Sequence, residues 1–233
     1  MTRLRFQRSL DDLKEKLLVM AGMAEQAIQR AVEAYRVRDL SICDLVDHGE
    51  FAINRLEREI DQMALDLLAM EQPMAIDLRF ILAVIKINAD IERVGDSAQS
   101  ISDRVRELQA FPVAEIPVDI PKMASLAEAM VRKALQAFIE ADASIAASVL
   151  SMDDSVDDMN DAAYFSVLNE MKTQPHIAPQ ALNALVISRI LERVADHATN
   201  IAEDVIFWVR GADVRHHMMK DEQAQDETEP KKA

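Results

Sequence analysis

The sequence contains little of the material from which β-sheets, disulfides and membrane spans are built. Among its 233 residues there are only 4 glycines and 1 cysteine, and aromatic residues make up 4%. Sheets draw on aromatic and β-branched residues and tight turns draw on glycine, so this composition favours helices and predicts no sheet. The single cysteine, Cys43, excludes an internal disulfide and is typical of a reducing compartment. No run of about 18 apolar residues is present that would cross a bilayer.

The charge is strongly unbalanced, with a formal net charge of −15 at pH 7. Such an excess of acids argues against direct binding to nucleic acid or to an anionic lipid surface, and it favours cations and basic protein surfaces as partners. At the N-terminus, Arg3, Arg5 and Arg8 are followed at once by Asp11 and Asp12, a pattern that argues against a signal peptide. We therefore expect a soluble protein of the cytoplasm.

Apolar residues recur at helical spacing along most of the chain. The stripes predict three helices over roughly 4–37, 39–71 and 75–109, and three more marked by the apolar residues of 123–138, 145–163 and 191–208. Short connections force neighbouring helices to run antiparallel. The predicted fold class is all-α, with two tandem antiparallel three-helix bundles related by internal duplication.

Prolines and a change of composition divide the chain. Pro112, Pro117 and Pro121 lie close together and interrupt the helical pattern, which is typical of a linker. After Gly211 the sequence becomes polar and acidic. We expect a first bundle over residues 1–110, a linker over 111–121, a second bundle over 122–211 and an acidic, disordered tail over 212–233.

The duplication is clearest in a short acidic motif. Residues 91–96, with the sequence IERVGD, return one hundred residues later as LERVAD at 191–196. In each copy a glutamate and an aspartate lie four residues apart and therefore on one face of a helix. The second and fifth helices carry a partner pattern, in which an acid is followed four residues later by another oxygen-bearing side chain: Glu50 with Asn54, and Asp153 with Asp157.

The positions of prolines predict that these pairs face each other. In an antiparallel hairpin, two residues are level when they are equidistant from the turn. The midpoint between Asn54 and Glu92 is Pro73, and the midpoint between Asp157 and Glu192 falls beside Pro175. Because proline breaks helices, each midpoint coincides with an expected turn.

Four oxygen-bearing side chains at one level repel one another unless a cation is bound. Oxygen ligands without a repeated His or Cys favour hard ions such as Mg²⁺, Mn²⁺, Ca²⁺ or ferric iron. The predicted metal ligands are Glu50, Asn54, Glu92 and Asp96 in the first bundle and Asp153, Asp157, Glu192 and Asp196 in the second, with Asp103, Asn200 and Glu203 as additional candidates.

Other interpretations of the acids remain open at this point. Solvated helix faces often carry such pairs, and Arg93 and Arg193 are placed to neutralise them in a purely structural network. A di-metal carboxylate oxidase or metal store also places acids inside a bundle, but such proteins usually carry Glu-x-x-His motifs, which are missing from this sequence. It also has no glycine-rich phosphate loop and no convincing pair of nucleophile and base, so we expect no enzyme activity.

Together these motifs resemble the PhoU family, the regulators associated with the bacterial phosphate-specific transport system. The resemblance covers about residues 5–217, and it is carried by QPMAIDLR at 72–79, by the two acidic repeats, by Asn200-Ile201 and by WVRG at 208–211 before Asp213, Arg215 and His216. It implies a tandem of two three-helix bundles, usually dimeric, whose paired acidic motifs bind metal ions, sometimes as multinuclear clusters. On this chain those ligands would be the eight residues named above.

The resemblance also implies a function and partners. A member of the family is expected to act as a negative regulator of the phosphate-starvation regulon. It would couple the ATPase subunit of the phosphate ABC transporter to a membrane sensor histidine kinase, and it would reach the membrane only through these partners. Two departures from the family pattern matter: Asn54 replaces a carboxylate, which predicts a weaker or less charged first site, and Ala195 stands where glycine is common, which is expected to alter the close helix approach that Gly95 permits.

Overall fold

The structure is a computed structural model that describes residues 3–212 and 214. Within these residues it contains α-helices and one short 3-10 helix and no strand, which confirms the predicted all-α fold. The α-helices are α1 Arg3–Val37, α2 Leu40–Glu71, α3 Ile76–Leu108, α4 Ile120–Glu140, α5 Ala143–Leu150, α6 Asp153–Thr173 and α7 Ala178–Arg210. None of the described helices combines the length and the hydropathy needed to cross a membrane. The predicted tail over 212–233 lies outside the described residues, apart from 212 and 214.

The first bundle consists of α1, α2 and α3, which pack on one another. Their apolar stripes form the core, where Leu17, Ile60 and Ile91 are fully or almost fully buried. The turn between α2 and α3 contains Pro73, as the midpoint of the acidic pairs predicted. Gln72 adopts a left-handed conformation that ends α2, so α3 runs back along it.

The second bundle differs from the prediction in its fifth helix. The expected single helix is interrupted at Ser151 and Met152 and becomes α5 and α6. Asp142 caps α5 by accepting hydrogen bonds from the backbone N–H groups of Ser144 and Ile145. Asp153 occupies the first turn of α6, where an acid stabilises a helix start through the helix dipole. The sequence thus contains two helix starts where the apolar stripe indicated one.

The linker is also shorter than predicted. Pro121 was assigned to a non-helical segment, but α4 begins at Ile120 and Pro121 lies in its first turn. A proline is tolerated there because the backbone N–H of the first turn has no helical partner. Asp119 caps the same helix by accepting from the backbone N–H of Lys122 at 3.1 Å.

The two bundles meet along α3 and α7, which pack side by side over much of their length. The two helices run antiparallel along this seam. Phe80 packs on Trp208 with ring centroids 5.0 Å apart, and further along α3 Lys86 Nζ lies 2.8 Å from Asp204 Oδ1. Nearer the middle, Asp90 Oδ1 lies 2.9 Å from His197 Nδ1. The cores of both bundles join into one cluster across this seam.

The close approach of α2 and α3 is made at Gly95. A Cβ atom built there would lie 3.0 Å from Ile53 Cδ1, which is tighter than ordinary van der Waals contact. At the equivalent places of the second bundle stand Ala195 and Val156, both fully buried. The extra methyl of alanine is therefore matched by the loss of a methyl from isoleucine to valine, so the departure at Ala195 is offset by a change in its partner.

We predict that this exchange of volume appears as an energetic coupling in a double-mutant cycle. Alone, Ile53→Val should destabilise the protein by about 1 kcal/mol because it leaves a gap. In a Gly95→Ala background that cost should shrink by at least about 0.5 kcal/mol, because the added methyl fills the gap. Urea unfolding of the four proteins measures the coupling.

Gly22→Ala is the control for helix propensity, because a Cβ at Gly22 meets nothing within 4 Å. It should stabilise the protein by up to about 1 kcal/mol. Additive effects of Ile53→Val and Gly95→Ala would contradict the proposed compensation.

Candidate metal sites

The first candidate site lies between α2 and α3. Asn54 donates a hydrogen bond from Nδ2 to Glu50 Oε1 at 3.3 Å, which holds these two side chains together on α2. Burial raises the pKa of Glu50, and the charges of Asp96 and Asp47 raise it further, while the hydrogen bond from Asn54 acts in the opposite direction. An acid of α3 therefore lies close enough to one of α2 for their charges to interact.

Glu92 shows the same relation from the other side of the hairpin. Burial raises its pKa first, followed by the negative charges of Asp96, Glu57 and Glu50. Arg93 lowers the pKa, but it does not cancel the rise. The facing of the two acidic pairs that the position of Pro73 predicted is therefore present in the fold.

Two acids outside the predicted ligand set belong to this region. Glu57 interacts with both Glu92 and Asp96, and burial is the main cause of its own raised pKa. It lies seven residues after Glu50, two helical turns along the same face, and this spacing was the available signal. Asp47 contributes to the raised pKa of Glu50, and it also accepts a hydrogen bond from Arg106 at 2.6 Å.

The second candidate site, between α6 and α7, has a denser negative charge. The pKa of Asp153 rises to about 6, mainly through burial and then through the charges of Asp157, Asp196, Asp154 and Glu192. Asp154, the residue after Asp153, was not among the predicted ligands. Asp153 occupies the position of Glu50 in the first site. The second site therefore has four carboxylates, where the first has three carboxylates and an amide.

The other members of the second site are shifted in the same direction. Burial and the charge of Asp196 raise the pKa of Asp157. For Glu192, burial comes first and Asp196 and Asp157 follow, against the opposing charges of Arg189 and Arg193. The acids of α6 and α7 thus interact across this hairpin as those of α2 and α3 do across the first.

The arginines of the repeat offset the negative charge of these acids only in part. The ion pair of Arg93 is with Asp90 on its own helix, at 3.6 Å. Among the described residues no salt bridge joins Arg93 or Arg193 to the acids of either site. The interpretation of the motif as a structural salt-bridge network therefore receives no support from the geometry.

Buried oxygens without partners test whether a cation fits. Within the described part of the chain, Asn54 Oδ1 and Asp153 Oδ1 are buried and accept no hydrogen bond. Such atoms are free to coordinate a hard cation, and each belongs to one of the two sites. No three His, Cys, Asp or Glu side chains of residues 3–212 and 214 converge tightly enough to hold an ion as they stand. The donor chemistry fits a metal, and the side chains have to draw together to bind it.

The three additional candidate ligands differ in how close they lie to the two sites. Asp103 is near enough to raise the pKa of Glu50, and it accepts a hydrogen bond from Arg106 at 3.2 Å. Asn200 donates instead to Asp90 of α3, at 3.3 Å, and Glu203 lines a groove at the same seam. The structure places Asn200 and Glu203 against α3, so the acidic stripe of α7 turns away from α6 after Asp196.

We predict that the metal-free protein loses stability as the pH rises through the range in which Asp153 ionises. An unfolded aspartate ionises near 3.8, whereas folded Asp153 keeps its proton to about 6. The folded state binds more protons between these values, so its stability falls from about pH 4 to about pH 6. Asp153→Asn should flatten this fall, measured by urea unfolding in a chelator at each pH.

Glu115→Gln is the control, since Glu115 is an exposed acid of the segment between the two bundles. It should leave the pH dependence close to that of the wild type. An unchanged pH profile in Asp153→Asn would show that the raised pKa of Asp153 does not affect stability.

Comparison with known proteins places these helices in a family. The family model described as the PhoU domain matches residues 17–105 and 120–205. The phosphate-specific transport system accessory protein PhoU homolog of Pseudomonas aeruginosa is 37% identical over 215 residues, which cover 91% of this chain and 88% of the relative. The homolog of Clostridium acetobutylicum is 31% identical over 215 residues, with 92% of this chain and 98% of the relative covered.

Solved structures agree in fold. The crystal structure of PhoU from Pseudomonas aeruginosa superimposes with a TM-score of 0.85 at 36% identity, over 89% of this chain and all of that one. The phosphate transport system regulatory protein PhoU from Streptococcus pneumoniae gives a TM-score of 0.83 at 29% identity, over 90% of this chain and 99% of the other. The chain therefore belongs to the PhoU family.

Proposed function

We propose that this protein is a metal-binding adaptor that acts as a negative regulator of the phosphate-starvation regulon and modulates phosphate uptake. The observation that carries the metal-binding part is the pair of acidic groups, one in each hairpin, with raised pKa values and buried oxygens that accept no hydrogen bond. The regulatory part is supported by membership of a family whose curated relatives are named as accessory proteins of the phosphate-specific transport system.

In the first site, Glu50, Asn54, Glu92 and Asp96 would hold the metal, with Glu57 beside them. In the second site, the ligands would be Asp153, Asp157, Glu192 and Asp196. A bound Mg²⁺, Mn²⁺ or iron ion would supply the positive charge that these residues lack. Each set takes ligands from two helices, so occupancy would fasten α2 to α3 and α6 to α7.

The partners follow from the same proposal. The protein would act in the cytoplasm as a homodimer, between the ATPase subunit of the phosphate ABC transporter and the sensor histidine kinase of the phosphate two-component system. With abundant phosphate it would keep the kinase from activating its response regulator. No chemical step is assigned to the protein in this role, because binding and release of partners are sufficient for it.

One prediction from this function concerns Asn54, the single amide among the ligands. Asn54→Asp should tighten Mn²⁺ binding at the first site about tenfold, and Asp157→Asn should weaken binding at the second by a similar factor, because ligand charge sets affinity for hard cations. Calorimetric titration measures both. Asn54→Asp is made together with Glu192→Ala, which disables the second site. Asp157→Asn is made together with Glu92→Ala, which disables the first site.

The double variant Glu92→Ala/Glu192→Ala is the control and should retain no Mn²⁺ after gel filtration, as measured by elemental analysis. Equal metal content in the wild type and this double variant would reject the metal sites. If Asn54→Asp does not tighten Mn²⁺ binding and Asp157→Asn does not weaken it, the assignment of these two side chains as ligands would be rejected.

The second prediction concerns regulation. Deletion of this protein from its host should release expression of a phosphate-repressed phosphatase reporter during growth on abundant phosphate. Complementation with the wild type should restore repression, and the Glu92→Ala/Glu192→Ala variant reports whether repression needs the metal ligands. Full repression in the deletion strain would contradict the regulatory role, whatever the protein binds.

A further inference from the structure

A groove that the metal sites do not use lies between the start of α1 and the end of α2. It has a volume of about 190 Å³, and its apolar lining is formed by Met63, Leu67 and Met70 of α2. Ser9 of α1 lines it as well. Two of the three apolar residues are methionines, whose unbranched and polarisable side chains adapt to the shape of a partner.

Large apolar side chains are exposed at the end of α2 and in the turn that follows it. Met70 is 70% exposed, and Met74 and Ile76 in the following turn are 79% and 52% exposed. A monomeric protein rarely leaves several such residues together in water unless they form a surface for binding.

The backbone of the turn beside the groove is strained. Ala75 has φ of 50° and ψ of −115°, a conformation that residues with a Cβ rarely adopt. No side chain caps α3 at this residue. Strain of this kind persists where the surrounding fold enforces it, and here it lies between Met74 and Ile76, the two exposed residues of the turn.

The rim of the groove is acidic. Asp12 of α1 and Asp66 and Glu71 of α2 line it, and within the described residues none of the three forms a salt bridge. Three acids beside an apolar lining favour an occupant with apolar anchors and basic flanks. Acidic residues of any occupant would add like charges beside this rim, so a segment with Lys or Arg fits it better.

We propose that this groove binds an amphipathic helix of a partner protein, with large aliphatic side chains on one face and Lys or Arg beside them. A channel between two helices accepts the apolar face of a third, and its acidic rim selects for basic residues. The inference rests on the adaptor role in the proposed function, since it supplies one surface by which a partner is held, but it does not depend on metal.

The test uses the purified full chain and a labelled peptide of about 18 residues, made of Leu and Lys with the leucines at helical spacing. A peptide of identical composition, scrambled so that the leucines do not share a face, controls for general attraction to an acidic protein. Fluorescence anisotropy should show that the ordered peptide binds the wild type about tenfold more tightly than the scrambled one.

Met70→Ser should weaken binding of the ordered peptide about tenfold by removing an apolar contact. Leu182→Ser is the matched control, because Leu182 is a 48% exposed residue on α7 of the second bundle, and it should change the affinity by less than about twofold. Asp66→Lys should weaken binding more than Asp158→Lys, which makes the same charge change on an exposed residue of α6. Circular dichroism of each variant verifies that the fold is kept.

Three results would overturn the proposal: equal affinity for both peptides, equal losses in Met70→Ser and Leu182→Ser, or a change in sedimentation of Met70→Ser without a change in peptide affinity. The last result would identify a second copy of the chain as the occupant. Because the assay contains no phosphate reporter, its failure leaves the proposed regulation standing, and failure of the reporter experiment leaves a positive peptide result in place.

Discussion

Repulsion between carboxylates held face to face is the constraint that shapes both hairpins. Fully or nearly fully buried residues such as Ile53 and Val94 fix α2 against α3, so the acids beside them cannot move apart without opening the core. Burial first, and then this repulsion, keeps protonation favourable at Glu92 and, to a greater extent, at Asp153. A cation relieves the same repulsion without a proton, which explains why a metal-binding function suits this architecture.

The sequence was sufficient for most of the fold because periodicity and proline act locally. The stripes predicted α1, α2 and α3 closely, and Pro73 marked the level at which the acids meet. The sequence was insufficient at Pro121, because a proline in the first turn of a helix and a proline in a linker have the same sequence pattern. The structure distinguishes them, since Asp119 caps α4 just before Pro121. The break before Asp153 was missed because the apolar stripe continues through it.

The candidate sites were predictable in their centre and less so at their edges. Glu92 and Asp96 repeat at matched positions and could be found by comparison of the two halves, whereas Glu57 has no acidic counterpart at the equivalent residue of α6, Asn160. Asn200 was an additional candidate ligand, and tertiary packing directs its side chain to Asp90 at the seam. Long-range packing determines the surroundings of both residues, and the spacing of residues in one sequence does not reveal it.

Diffraction from crystals grown with Mn²⁺, recorded for anomalous scattering, would locate the cations themselves. The structure predicts peaks in each chain at two places, one among Glu50, Asn54, Glu92 and Asp96 and the other among Asp153, Asp157, Glu192 and Asp196, with the second more fully occupied at limiting metal. Peaks confined to other surfaces, or none in either hairpin at saturating Mn²⁺, would contradict the assignment of these acids as metal ligands.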